Sequence, residues 1–245
     1  MLVSNENKLV ATLGRHGLLI AGTVLVALVV LFGLVGRLVV PVDMSQVGAG
    51  LPAKPPSAEH WLGTDQQGRD VLADLIYGTP TSLKIGVIAG VFGVAFGALV
   101  GLIAGYVGGI VDEVIRIVVD ILLTIPGLMV LIIVASMLGA VSVEAMALII
   151  AALAWMWPAR AVRAQVLTIR ERMYIQVARF NGASNLKIIV GELLPNLIPY
   201  LAANLVGAIS GAILASVGLS TLGLGPMSQP SLGLTFYWAI TYGAL

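Results

Sequence analysis

The chain contains no cysteine, only two histidines (His16 and His60), and few charges, 10% of its 245 residues. Without a thiol there is no disulfide, thiolate metal site or thiol nucleophile, and two histidines are too few for a histidine-rich metal cage. Nucleotide-handling signatures are lacking too. No G-x-x-x-x-G-K-[ST] run occurs, no G-x-G-x-x-G opens a helix after a strand, H-E-x-x-H is impossible, and GLSTLG lacks nucleophile-elbow spacing. The chain therefore holds no catalytic site, cofactor or metal of its own. Any energy it uses comes from an ion gradient or from another polypeptide. Nothing in the charge distribution supports nucleic acid as a partner.

What is present is apolar: 59% of residues are hydrophobic, and charge is well below the roughly 25% of an average soluble domain. The uncharged stretches exceed the roughly 20 residues that cross a bilayer. The expected class is an all-α membrane protein, a polytopic helical bundle in contact with lipid. Five spans are legible. The first covers 17–36, between Arg15 and Arg37, and reads as a retained span rather than a cleaved leader because no small-residue cleavage site precedes Arg37. Residues 38–84 form an aqueous loop that ends in a lead-in helix through GRDVLADLIYG. Thr64 and Gln67 fit a capping box at its start, with Asp65 at the positive helix end. The second span follows Lys84 and runs uncharged to Val111. The third covers 117–138 and the fourth 144–157, closing on Pro158. The fifth covers 193–215, and 216–235 reads as a loop or re-entrant segment.

Six of the thirteen basic residues fall in 160–187. The positive-inside rule makes that segment cytoplasmic, and counting spans back places the N-terminus, with Lys8 and Arg15, on the same side. The 38–84 loop is then extracytoplasmic. In the second span Gly93, Gly97, Gly101 and Gly105 recur every fourth residue, a stripe that lets another helix backbone approach closely. Pro126, Gly127, Pro158 and Pro195 are candidate hinge or packing points. Asp120 lies about one turn into the third span, where an interfacial or helix-capping position, a gating role and a proton relay are all open. Trp155, Trp157, Tyr237, Trp238 and Tyr242 sit at expected membrane boundaries and read as interface anchors. The scarcity of intramembrane charge argues against a proton pump. An ion-coupled carrier or channel acting without an ATPase is the alternative reading.

The segment 174–196, YIQVARFNGASNLKIIVGELLPN, is a basic, partly amphipathic helix broken at Asn181-Gly182, followed by a second helix that enters the membrane past Pro195. Taken alone it fits a surface helix anchored on the membrane. It also resembles the EAA cytoplasmic loop of binding-protein-dependent importer permeases. Gly182 and Leu194-Pro195 match that pattern in spacing and Ala178 matches its second alanine, whereas Gln176 stands where the glutamate is usual and Val177 where the first alanine is. Three further stretches, WLGTDQQGRDVLADLIYGTPTSL, DILLTIPGLMVLI and GLSTLGLG with YWAITYGAL, are similar to the C-type permease subunit of dipeptide, oligopeptide and nickel importers. The resemblance covers about residues 55–245.

It implies a type I importer permease fold with a permease core over 85–245 and a coupling helix at about 168–185. In that helix Tyr174, Gln176, Val177, Ala178, Gly182, Ala183 and Ser184 would meet an ATPase. It further implies a homologous B-type permease, two ATP-binding-cassette subunits that hold ATP and Mg, and an extracytoplasmic substrate-binding protein, in a bacterial inner membrane. Permeases of this family have six spans, so a last helix beyond the GAL at 243–245 is also expected.

Overall fold

Inside lipid each backbone N–H and C=O must find its partner within its own segment, so apolar runs of this length become helices. The computed structural model describes residues 3–139 and 141–242. Among them there is no β-strand beyond an isolated Thr64–Asp70 bridge. The 243–245 GAL and the side chains of Lys8, Arg15 and His16 lie outside the described residues. The helices are α1 (Val3–Val39), α2 (Val71–Val107), α3 (Gly109–Thr124), α4 (Gly127–Leu138), α5 (Val143–Ala154), α6 (Met156–Arg170), α7 (Met173–Phe180), α8 (Asn185–Ile188), α9 (Leu194–Thr221) and α10 (Leu232–Thr241). Among the described residues four continuous stretches are long and apolar enough to cross a membrane: Gly17–Val39, Val71–Val107, Val143–Arg170 and Asn185–Thr221. The bent pair α3–α4 makes a fifth.

The chain divides inside α2 into two compact units, Met1–Pro80 and Thr81–Leu245. In the first, Gly33 and Gly36 of α1 let Pro80 and Ile76 press against the α1 backbone. Tyr77 donates to Val40 O at 2.8 Å, and the Arg37 guanidinium lies over its ring. The loop is tied down by buried polar groups. His60 Nδ1 and Asp70 Oδ2 pair at 2.9 Å, and Arg69 bridges Asp65 (2.6 Å) and Asp74 (3.1 Å). Asp74 Oδ1 has no hydrogen-bond partner among the described residues.

In the second unit α2 is the central element. Its Gly86 and Gly90 meet Ile213 and Ile209 of α9, and its lower glycines meet α5 and α6. One core, around Ile85, Leu131, Met146, Ile150 and Leu219, joins α2, α4, α5 and α9. A second, around Val162, Val166, Ile175, Ile188, Leu193 and Leu197, lies at the opposite end of the bundle. Lys84 and Glu144 form an ion pair at the first of these ends.

Four boundaries differ from the sequence reading, each for a local reason. The lead-in helix and the second span are one helix, which begins at Val71 and stops at Val107 rather than Val111. Its cap is Asp70, whose Oδ1 accepts from Ala73 N at 2.8 Å. Thr64 is not a cap; it pins the loop by donating to Leu51 O and accepting from Lys54 N. The third span begins at Gly109 rather than 117 and is broken at Ile125-Pro126 by 76°. The fourth extends to Arg170, because Trp155 keeps helical dihedrals (φ −81°, ψ −22°) where Pro158 offers no N–H to Ala154 O. The fifth begins at Asn185 and reaches Thr221, so 216–221 is helix and only 222–231 is loop. Pro195 is carried there by a wide π turn over Ile189–Leu193, in which Leu194 N donates to Ile189 O.

Candidate coupling site

The coupling segment expected at 168–185 resolves into the last turn of α6, a break at Glu171-Arg172, the two-turn helix α7, and a turn into α8. Ile175 anchors α7. It is fully buried against Val162 and Val166 of α6 and Ile188 of α8, with Ala178 and Ala183 packed beside it. Burial of one such side chain contributes about 1.5–3 kcal/mol, enough to hold a two-turn helix that would not persist alone in water. The outer face is apolar and open: Met173 is 74% exposed, Val177 50% and Phe180 90%. These three positions, at i, i+4 and i+7, make one stripe.

Gly182 ends α7. Its φ is +76°, its N–H donates to Arg179 O at 2.9 Å, and Ala183 N donates to Ala178 O at 3.0 Å. That pair of bonds is the Schellman C-cap, which needs a left-handed residue at this position. An added Cβ at Gly182 would meet nothing within 4 Å, so the requirement within this chain is conformational rather than spatial. Ser184 caps the next helix, accepting from Lys187 N. Gln176 makes only a long 3.4 Å contact to Glu171 O, and Tyr174 is exposed.

Four residues that the sequence did not single out tie this corner to the bundle. Tyr106, near the end of α2, donates to Asn185 Oδ1 at 2.8 Å, and the Arg179 guanidinium lies over its ring at 5.5 Å. Arg170 Nη1 donates to Gly105 O at 2.7 Å, supplying a cation to the α2 C-terminus, where free carbonyls concentrate negative charge. Tyr106 and Arg170 flank the glycine stripe and the basic segment, but their pairings span 79 and 65 residues. Only packing could reveal them.

The stripe itself runs down the α5–α6 surface. A Cβ at Gly93 would lie 2.7 Å from Ala154 Cβ, and one at Gly105 2.8 Å from Val166 Cβ. At Gly97 and Gly101 it would strike the carbonyl oxygens of Trp155 and Ala159. Of the hinge candidates, Pro126 and Gly127 lie at the 76° bend, Pro158 lies in the first turn of α6, and Pro195 follows the π turn. Asp120 is half-buried on α3 with Arg160 Nη1 at 3.7 Å, and one turn along α6 and two along α3 Arg163 and Asp112 form a bidentate pair, Nη2 to Oδ2 at 2.6 Å. The described residues thus carry a dense belt of charge and aromatic contacts at the α7 end, and Lys84–Glu144 at the other.

Residues 97–245 match the family described as binding-protein-dependent transport system inner membrane component. The oligopeptide transport system permease protein OppC of Mycobacterium tuberculosis is 36% identical over 182 residues, 74% of this chain and 62% of the relative. The dipeptide permease DppC of Bacillus subtilis is 33% identical over 216 residues, 87% of this chain and 66% of the relative. The probable D,D-dipeptide permease DdpC of Escherichia coli is 33% identical over 227 residues, 93% and 76% respectively. The chain therefore spans about 62% of the length of the mycobacterial relative. Its multi-pass helical architecture and the match across α6, α7 and α8 agree: the chain belongs to the binding-protein-dependent transport system inner membrane component family.

Proposed function

We propose that this chain is one membrane-spanning half of an ATP-driven peptide importer, and that α7 couples it to an ATPase. With a homologous B-type permease it encloses a path; two ATP-binding-cassette subunits holding ATP and Mg dock on the cytoplasmic side, and an extracytoplasmic binding protein delivers the substrate. Peptide is the favoured class because the relatives are named as peptide-system permeases. The observation that carries the reading is α7 itself: a short helix with a buried root at Ile175 and an exposed stripe of Met173, Val177 and Phe180. A large apolar patch left open on an aqueous segment marks a protein contact. Its root packs on α6 and α8, and Tyr106 and Arg170 link the same corner to α2. Displacement of α7 would carry α2, α6 and the start of α9 with it, and the bend at Pro126 and the half-buried Asp120–Arg160 pair are where α3 would shear against that block. In this reading the N-terminus and 160–187 are cytoplasmic and 38–84 is extracytoplasmic.

The test is Phe180→Asp together with Val177→Asp in the reconstituted complex. Both side chains are exposed, so the thermal stability of the chain should shift by less than about 0.5 kcal/mol. ATP hydrolysis stimulated by loaded binding protein, and peptide uptake, should fall at least about tenfold, as for loss of a packed interface anchor. A crosslink from Ala183→Cys should reach the ATPase. Normal stimulated hydrolysis in the double variant, or crosslinks only to lipid, would remove the coupling role. Impermeant labelling of Ser57→Cys but not Ser184→Cys in sealed cells checks the orientation.

A further inference from the structure

Between α3 and α6 lies a cavity of about 230 Å³ lined by Ile115, Arg116, Val119, Asp120, Ala159, Arg160 and Arg163. Val119 and Ala159 are buried and form an apolar floor, while the guanidinium-bearing residues lie towards the opening. Three arginines face one carboxylate here, so the lining carries a formal +2 (3 − 1). Their partners are unevenly distributed. Arg163 is occupied by Asp112 in the bidentate pair. Arg160 reaches Asp120 only at 3.7 Å, beyond hydrogen-bond range. Arg116 acts on Asp112 through space and has no hydrogen bond or ion pair within 4 Å among the described residues. Even with Asp112 counted the cluster keeps a formal +1, and like charges held this close raise one another's energy unless an anion sits between them.

We propose that Arg116, Arg160 and Arg163 form a binding site for a phosphate-bearing anion in the α3–α6 cavity. The inference goes beyond the coupling reading and does not depend on which side of the membrane this end of the bundle faces. Guanidinium is the group that suits it. Its planar fork matches two phosphate oxygens at once and is less strongly hydrated than an ammonium, so it serves at a partly covered site where lysine would not. Asp112, by holding Arg163, keeps one fork fixed, while Arg116 and the loosely paired Arg160 can turn onto the ligand. The anion has two sources with the same chemistry. One is the phosphodiester of an acidic phospholipid, abundant where a charged helix end meets the bilayer surface. The other is a soluble phosphate.

The experiment uses the full chain in detergent, observed by native mass spectrometry. It is titrated separately with phosphatidylglycerol, diacylglycerol and inorganic phosphate, and then compared with the Arg116→Gln/Arg160→Gln double variant and with Arg172→Gln, an exposed arginine outside the cavity. The expected result is retention of phosphatidylglycerol over diacylglycerol, weakened about tenfold or more in the double variant, as for loss of charge-assisted hydrogen bonds, and unchanged in Arg172→Gln. Arg160→Lys should fall between, since it keeps the charge and loses the fork. Arginine-dependent binding of inorganic phosphate without the lipid would support the site and assign it to a soluble anion. Two results would overturn it: equal retention of phosphatidylglycerol and diacylglycerol without arginine-dependent phosphate binding, or phosphatidylglycerol and phosphate binding that ignores the double variant. Crosslinks in the assembled complex that place a partner subunit's carboxylate on Arg116 and Arg160 would overturn it as well.

Discussion

Two spans of this protein carry glycines at four-residue spacing and use them in opposite ways. On α2, Gly93, Gly97, Gly101 and Gly105 are closed: a methyl group at each would collide with α5 or α6, twice with a backbone carbonyl. On α9, Gly207 and Gly211 are open, with nothing within 4 Å of an added Cβ, beside an apolar groove of about 510 Å³ that also includes Trp157, Tyr200 and Asn204. The same residue type at the same helical spacing is internal packing in one helix and uncovered surface in the other. Spacing alone therefore says that a close approach is possible, not that this chain makes it. By contrast the large uncovered surface of α1, with Leu18, Leu19, Leu25 and Leu38 exposed, is built of bulky side chains that suit lipid tails.

The most severe way to break the comparison is Gly97→Leu. The obstacle at that site is Trp155 O with Ala159 N and Pro158 Cβ nearby, and a helix backbone cannot yield as a side-chain tip can. We expect destabilisation of about 3 kcal/mol or more, the upper range for overpacking. It should appear as loss of monodisperse folded chain in detergent before any partner is added. Gly101→Leu should behave alike, since Ala159 O and Arg163 N stand in its way. A normal unfolding temperature for both variants would mean that α2 does not seat on α6 this closely.

Gly182 sharpens the comparison as a third kind of glycine, open in space but fixed in conformation at φ +76°. Gly182→Ala should cost about 1–2 kcal/mol from left-handed strain alone. Gly182→Asn should recover much of that, because asparagine tolerates the left-handed region. If unfolding measurements rank asparagine no better than alanine, something other than φ sets the requirement. If asparagine restores stability but not stimulated ATP hydrolysis, a partner surface must approach this turn closely.

These contrasts mark how far the sequence could be read. Helical class, the number of spans and the break at Asn181-Gly182 follow from local chemistry: uncharged runs, an uneven belt of arginines, a glycine where a helix must stop. The α2 stripe was visible as periodicity, but whether it met α5–α6 or another subunit was not. The ties at the α7 end of the bundle were hidden, because Tyr106–Asn185 and Asp112–Arg163 join residues 79 and 51 positions apart. In the 38–84 loop the capping-box pattern at Thr64 and Gln67 drew attention from the true cap. Asp70, immediately before the apolar run VLADLI and three residues before the amide it caps, was the stronger signal. The joining of the lead-in helix to the second span was also hidden, since Pro80 lies between them and has no N–H for the helical ladder. Helical packing around Pro80 carries it instead, with Gly33 leaving room for its ring.

Gly207→Leu is expected to have the smallest effect on the chain and to be the most informative about the assembly. The position is exposed and open, so the leucine enters free space and the unfolding temperature in detergent should stay within the range of an ordinary surface change, about 0.5 kcal/mol. Leucine is also a better helix former than glycine, by about 0.8 kcal/mol, which would offset small losses. If this face met only lipid, transport would be equally indifferent, as we expect for Leu25→Ala on α1. But between the exposed Val206 and Leu214, α9 also exposes Ala203, Gly207, Ser210 and Gly211, small residues with a hydroxyl among them, where a lipid-facing helix would gain nothing from being small. Such a face lets another backbone, or a peptide crossing the bundle, come within van der Waals distance of α9. On the proposed function, peptide uptake by the assembled complex should then fall while the isolated chain stays as stable as before, a pattern opposite to that of Gly97→Leu. Uptake and complex yield both unchanged would show that the open glycines of α9 face lipid and that the two stripes differ in surroundings but not in use.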